Sequence, residues 1–334
     1  MPGLNVARVV AWRVGQALVT LWVASVLVWT LLLLAPGDPA RAVLAANDIS
    51  NPNPLRLRTE RALLGLNGSP VSRYWHWLLG ALRGQFGTSW ATGQSVTHQL
   101  LIRLPATLVL TTAAFGISLA LALVLALISV WAPGRWPDRL TRTVNLVFLS
   151  VPGFIVGTIL LDLVVVRWGH FEVITNGQWN TVLLPALTLS LGTAASWSRI
   201  LRASLLDAAG AEYLDVAAAR GVRKARAILV HALPNSLVSF LTVMAVGVAA
   251  LLGGAPIVET VFSWPGVGAF FVQSITASDI PVIQGFTLFA IFCYVVFSLA
   301  VDVIAVLIDP RLAPSGRRPG RSLRRRCLTT AAGS

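Results

Sequence analysis

Few residues in this 334-residue chain could do covalent chemistry, and their spacing argues against it. The four histidines, His76, His98, His170 and His231, are scattered, with no pair at metal-ligand spacing. The two cysteines, Cys293 in an apolar run and Cys327 in a basic tail, exclude a disulfide scaffold and a Cys-rich metal site. A G-x-x-x-x-G-K-[ST] cradle for nucleotide phosphates occurs nowhere, and the one lysine is Lys224. Three acids stand out instead. Asp162, Glu259 and Asp302 lie inside or at the edge of long apolar runs, where charge is expensive and often functional. Asp162 precedes Arg167 by five residues, Glu259 closes a run, and Asp302 is the deepest. Structural pairing is expected for all three in preference to substrate contact.

The elements that must position these residues are written in the composition. Hydrophobic residues make up 56% and charged ones 12%, against about 25% charged in a soluble domain. Six runs read as transmembrane helices: 14–35, 104–132, 143–166, 182–198, 237–258 and 280–301. Most are long enough to cross roughly 30 Å of hydrocarbon; 182–198 is short and contains Pro185. The first run follows Arg8 and Arg13 and has 22 residues, too long for a cleavable signal, so an uncleaved anchor is expected. The net charge of +13 then reads as topology rather than as affinity for nucleic acid. Eighteen of the 26 basic residues flank the spans on one side, and the two short loops opposite hold only Arg167. Both termini are expected to be cytoplasmic. Trp131, Trp136, Trp168, Trp179 and Trp264 fall near the expected membrane edges, where amphipathic rings prefer to lie.

Two polar segments interrupt this pattern. Residues 36–103, outside, open with the turn Pro36-Gly37-Asp38-Pro39 and pass the breaker cluster Asn51-Pro52-Asn53-Pro54. A helix-compatible stretch with Tyr74, Trp75 and Trp77 follows, so an ordered cap is expected, either a lid on the spans or a docking surface for an external partner. The second segment, about 207–235, is cytoplasmic. Glu212 to Arg220 reads as a short helix with acid near its start and arginine at its end. Gly221 stops it, Arg223 to Arg226 begin a second helical stretch, and Pro234 enters the next span.

Gly221 and, thirteen residues on, Pro234 after Leu233 resemble the EAA loop of permease subunits of ATP-binding-cassette (ABC) importers. Further motifs resemble the dipeptide/oligopeptide/nickel branch: Ala35-Pro36-Gly37-Asp38-Pro39, Arg103-Leu104-Pro105-Ala106-Thr107-Leu108 and Leu184-Pro185-Ala186-Leu187-Thr188-Leu189. The run Glu259-Thr260-Val261-Phe262-Ser263-Trp264-Pro265-Gly266-Val267-Gly268 is the most specific, followed by Pro281-Val282-Ile283-Gln284-Gly285 and Asp309-Pro310-Arg311. The chain departs from the pattern at Gln85, where the family usually has an acid, at Asp215-Val216-Ala217 in place of Glu-Ala-Ala, and at His231.

The resemblance implies an all-α integral membrane protein of the type I ABC importer permease fold. Its parts would be residues 1–35 with helix 1, the extracytoplasmic segment 36–103, a core 104–312 and a basic tail 313–334. The tail, Arg317 to Arg326, reads as a stop-transfer flank or a contact for anionic membrane lipid. The resemblance further implies a bacterial inner-membrane subunit that pairs with a second, homologous permease. Two cytoplasmic ATPases using ATP and Mg and an external substrate-binding protein would complete the complex, with no catalytic residue and no cofactor on this chain. Glu212, Tyr213, Asp215, Val216, Ala217, Arg220, Gly221, His231, Leu233 and Pro234 would form the ATPase-coupling loop. Glu259, Phe262, Ser263, Trp264, Pro265 and Gly266 would form the motif at the outer end of the fifth span. Di- or oligopeptides are the expected cargo, with nickel or glutathione as alternatives. A stand-alone secondary transporter would leave the EAA loop unexplained and call for internal repeats, of which none is clear. A membrane-embedded enzyme would need a catalytic cluster that the sequence does not show.

Overall fold

The computed structural model describes residues 3–34, 37–46, 49, 51–169, 177–179, 181–210 and 222–308. Among these, regular structure is helical apart from one isolated bridge between Thr88 and Ser95. Helix α1, Gly3–Leu34, is followed by three short helices, α2 Pro39–Ala46, α3 Pro54–Leu63 and α4 Pro70–Leu82. The breaker residues of this segment are helix starts. Asn53 and Ser69 cap α3 and α4 through side-chain oxygens, each with proline at the first helical position, where a missing N–H loses nothing. Helix α4 rests on α1: the Tyr74 and Ser25 hydroxyls are 2.9 Å apart, and the Trp29 ring lies 5.8 Å from both Tyr74 and Trp77. Trp75 turns outward and is exposed.

Helix α5, Val96–Trp131, begins eight residues before the expected span entry at Leu104 and runs through Pro105 without ending. The expected third span, 143–166, is not one helix. Helices α6, Trp136–Ser150, and α7, Gly153–Leu160, meet at a bend of 97°. Pro152 offers no N–H and holds Val151 extended, at φ −92° and ψ 122°, so the helix must stop. Beyond α7 the turns widen into a π-helical stretch, Leu161–Arg167. Helix α8, Leu183–Ala209, covers the span that looked weakest in sequence and proves long and deeply buried. A short turn Lys224–Arg226 and a π turn Ala227–Ala232 lead into α9, Leu233–Val261; α10, Val267–Thr276, and α11, Ile280–Ile308, follow.

Residues Ala11–Leu34, Val96–Trp131 and Ile280–Ala300 are each long and apolar enough to cross a membrane, and the bent pair α6–α7 makes a fourth crossing if counted as one. Helices α8 and α9 have 27 and 29 residues, about 40 Å at 1.5 Å per residue, so six crossings fit the helices present.

The core centres on the interface between α5 and α8, the most extensive in the structure. Buried Ala114, Ser118, Ala122 and Ala126 recur every four residues on α5, a small-residue ridge that lets the backbones approach closely. The Ser118 hydroxyl donates across it to the Ser190 carbonyl at 3.2 Å. One large side chain interrupts the small ones. Trp197 of α8 is fully buried and edge-packed between Phe115 and Phe240, with ring centroids 5.4 and 5.7 Å away. Its indole lies where a side chain at Gly247 would project, so only glycine fits at that point of α9.

Candidate functional site

The most specific motif of the sequence folds around Glu259. Helix α9 ends with Phe262 as its cap, and the next residue, Ser263, takes a left-handed φ of 50°. The Trp264 N–H then donates to the Glu259 carbonyl at 2.8 Å, and the Ser263 N–H to the Thr260 carbonyl at 3.3 Å. This is a Schellman stop with serine where glycine is usual. It turns the chain inward, burying Trp264 completely, with its indole N–H donating to the Ala106 carbonyl at 2.9 Å. Trp264 is therefore a packing residue, unlike Trp131, Trp136, Trp168 and Trp179, which are exposed.

The chain next starts α10 directly over the carboxylate of Glu259, which is itself fully buried. Its Oε2 accepts the Ala269 N–H at 2.9 Å and its Oε1 the Thr107 hydroxyl at 2.6 Å. The Thr107 oxygen in turn accepts the Val267 N–H at 2.9 Å. Gly266, the cap residue of α10, has no side chain to do this work, so Glu259 and Thr107 satisfy the first amides from another helix. A Cβ on Gly266 would collide with the Glu259 carboxyl group, and one on Gly268 would sit 2.5 Å from Pro256 Cα. The motif is thus a joint among α5, α9 and α10 whose glycines are set by close approach. Pro265 is exposed and lies against Gly177, where an added Cβ would be 3.0 Å from Pro265 Cγ. Phe262 is buried in the adjoining core with Leu110, Leu184 and Val258.

A second stop follows at the end of α10. Ser278 has φ 54°, the Asp279 N–H donates to the Ser274 carbonyl at 2.9 Å, and Asp279 is turned inward. Its carboxylate takes the Ser89 hydroxyl and the backbone N–H groups of Trp90 and Ala91 at 3.1 and 3.4 Å. This fastens the loop before α5 to the turn between α10 and α11.

At the other end of α5, where Ser129 lies 22 residues and about 33 Å beyond Thr107, a third acid is buried. Asp138, in the first turn of α6, accepts two N–H bonds from the Arg202 guanidinium of α8, at 2.8 and 2.9 Å. The Gly134 N–H at 2.9 Å and the Ser129 hydroxyl also donate to it.

The expected site residues are thus divided. Glu259, Phe262, Ser263, Trp264, Pro265 and Gly266 come together in one joint. Asp162 lies apart, half exposed, and accepts the Arg167 Nε–H at 2.9 Å; the π-helical stretch widens the turn that brings these two residues face to face. Asp302 is on α11, and its side chain is outside the described residues, as are Glu212, Tyr213, Asp215, Val216, Ala217, Arg220 and Gly221. His231 is exposed in the π turn, Leu233 is half-buried and Pro234 is exposed at the start of α9. The widened turn falls where the Pro234 ring would otherwise press on the carbonyl four residues back. Asp138, Arg202, Asp279 and Thr107 were not singled out by the sequence. Thr107 lay in view within the Arg103–Leu108 motif, but nothing in that run names Glu259 as its partner.

Comparison with known proteins agrees with this architecture. The family of binding-protein-dependent transport system inner membrane components matches residues 119–314, and the N-terminal region of such components matches 6–111. The glutathione transport system permease protein GsiC of Escherichia coli K12 is 33% identical over 293 residues, covering 88% of this chain and 94% of the relative. Its counterpart in Pectobacterium atrosepticum is 34% identical over 294 residues, with the same coverage. An inward-facing structure of the MetNI methionine ABC transporter superposes with a TM-score of 0.51 at 17% identity, covering 63% of this chain and 96% of that one. That likeness supports the type I ABC importer permease fold. The chain belongs to the binding-protein-dependent transport system inner membrane components, the permease subunits of ABC importers, within the dipeptide/oligopeptide/nickel branch.

Proposed function

We propose that this permease carries small peptides, glutathione among them, into the cell as one half of a two-permease path. The observation that carries the reading is the 33% identity to a glutathione permease across 94% of that relative's length. Glutathione is a modified tripeptide, so the expected peptide cargo and the relative's named cargo are chemically one class. Nickel remains the competing cargo of the branch. The complex comprises a second permease, two cytoplasmic ATPases that hydrolyse ATP with Mg, and an external binding protein that delivers the substrate. Both termini are cytoplasmic, which places the Glu259 joint outside and the Asp138 end inside; the eighteen basic residues on one side support this.

In this reading the loop between α8 and α9 is the contact with the ATPase. Tyr213 and Val216 would fill a pocket on the ATPase, and Ala217 would allow close approach. Glu212, Asp215 and Arg220 would set the polarity of the short helix expected there, and Gly221 would fix its angle to the stretch containing His231, Leu233 and Pro234. A β-branched residue at Gly221 would strain that angle.

The test is uptake by the reconstituted complex of labelled glutathione, di- and oligopeptides and nickel, with and without ATP. ATP-dependent uptake of glutathione or short peptides is expected. Uptake of nickel alone would replace the cargo, and ATP-independent uptake by the isolated chain would overturn the importer reading of this subunit. In the same assay Gly221→Val is expected to leave the protein inserted while separating ATP hydrolysis from uptake. Normal uptake by that variant would sink the lever assignment.

A further inference from the structure

The α5–α8 interface is lined largely by small residues and crossed by the Ser118–Ser190 bond and the Trp197–Phe115 contact, and a polar clasp with α6 adds to them near its end. Along one face of α6, Asp138, Thr141 and Asn145 recur every three to four residues, all buried. Opposite them on α8 stand Ser198 and Arg202, one turn apart. Asn145 Nδ2 donates to the Ser198 hydroxyl at 3.1 Å, and Arg202 grips Asp138 through two parallel N–H bonds. Ser129 near the end of α5 joins both, accepting the Arg202 Nε–H at 2.8 Å and the Thr141 hydroxyl at 3.1 Å while donating to Asp138. The Arg142 guanidinium flanks the same carboxylate at 3.4 Å but is half exposed. One carboxylate therefore ties together the end of α5, the α5–α6 turn, the start of α6 and the last third of α8.

Arg202 sits seven residues before the end of α8 at Ala209, about 10 Å from the point where the chain leaves for the 211–221 loop. We propose that the Arg202–Asp138 clasp is a positioning element that makes α5 and α6 move with α8 when that loop is displaced. The inference rests on the loop being the ATPase contact. A buried ion pair is a poor source of stability, because desolvation offsets most of the attraction. A bidentate guanidinium–carboxylate pair is, however, directional and fixes rotation and register together. The single neutral Ser118–Ser190 bond and the edge contact of Trp197 on Phe115 provide no such fork. Without the clasp, displacement of α8 would be spent in sliding along α5 instead of reaching the path.

The test uses the full importer in proteoliposomes and reads substrate imported per ATP hydrolysed. The paired replacement Asp138→Leu with Arg202→Met keeps volume and removes charge, and Arg202→Lys keeps charge but not the fork. The exchange Asp138→Arg with Arg202→Asp restores opposite charges in reversed order. The Leu/Met pair is expected to hydrolyse ATP at close to the parental rate but to import about fivefold less per ATP. Arg202→Lys should fall between, and the exchange should recover part of the ratio. A parental ratio in the Leu/Met pair overturns the proposal. So does loss of the Leu/Met protein from the membrane together with full coupling in Arg202→Lys, since the pair would then be structural only. Absence of ATP-driven uptake in the parental complex would instead strike the reading of the complex itself, and the two failures are distinguishable.

Discussion

The two ends of α5 hold buried carboxylates in opposite ways. Glu259 is fully buried with no ion pair among the described residues; the amides at the start of α10 and one threonine hydroxyl satisfy it. Asp138 is equally buried but is held by an arginine from another helix. A carboxylate satisfied by backbone amides is fixed wherever the backbone is fixed, so the Glu259 joint depends on shape and on the glycines that permit it. A carboxylate satisfied by a side chain links two elements that could otherwise separate, so the Asp138 clasp depends on charge. In the orientation proposed above, the shape-dependent joint faces the outside and the charge-dependent one lies beside the ATPase contact.

The largest expected effect tests the dependence on shape. In Gly268→Val the new Cβ meets Pro256 Cα, a backbone atom that cannot rotate aside. Loss of more than about 3 kcal/mol is expected, read as failure to recover monodisperse protein from membranes. A well-folded Gly268→Val protein would show that α10 does not press on α9 as described. Next comes the carboxylate itself. Glu259→Ala leaves the Thr107 hydroxyl and the Ala269 amide without their acceptor, a loss of about 2–4 kcal/mol. Glu259→Gln keeps one acceptor oxygen and should lose about half as much. Thermal unfolding of the purified complex measures both, and equal tolerance of the two changes would remove the capping role. Charge exchange separates the two ends cleanly, because Asp138 has a partner to exchange with and Glu259 has none among the described residues.

How much of this could be read beforehand follows the same division. The spans were legible because apolar length is a local property, and Val151-Pro152 was visible as a dipeptide though not as a 97° bend, which depends on what packs on either side. The Glu259 motif was legible as a motif but not as a capped helix start, since its acceptor and its donors are separated by a turn whose geometry rests on Ser263. Serine is not a usual left-handed stop, so neither Ser263 nor Ser278 announced one. Asp138 and Arg202 were invisible for a different reason. Arg202 was counted among eighteen basic residues that mark a side, and no spacing rule picks it out as the partner of an acid 64 positions away.

The serines give a smaller prediction of opposite sign. Ser278→Gly relieves the strain of a left-handed β-carbon at the end of α10 and should raise stability by roughly 0.5 kcal/mol after the added freedom of the unfolded chain is subtracted. A small increase in the unfolding midpoint would confirm it, whereas a decrease would mean that the serine hydroxyl matters to the turn.

The smallest effect is expected at Asp162 and Arg167. This pair has a bond of 2.9 Å, as short as those of the clasp, yet the arginine is 66% exposed and the aspartate 48%. If pairing by itself held the bundle, Arg167→Ala would rank with the loss of Arg202. Exposed pairs instead gain little over solvation by water and headgroups, so Arg167→Ala should shift stability by less than about 0.5 kcal/mol. It should also leave the ratio of import to ATP hydrolysis unchanged, because both residues sit on one π-helical stretch and, among the described residues, the pair ties no second element to it. A coupling defect in Arg167→Ala as large as that of the clasp variants would mean that removing any arginine weakens transport, and the distinction between shape and charge at the two ends of α5 would lose its support.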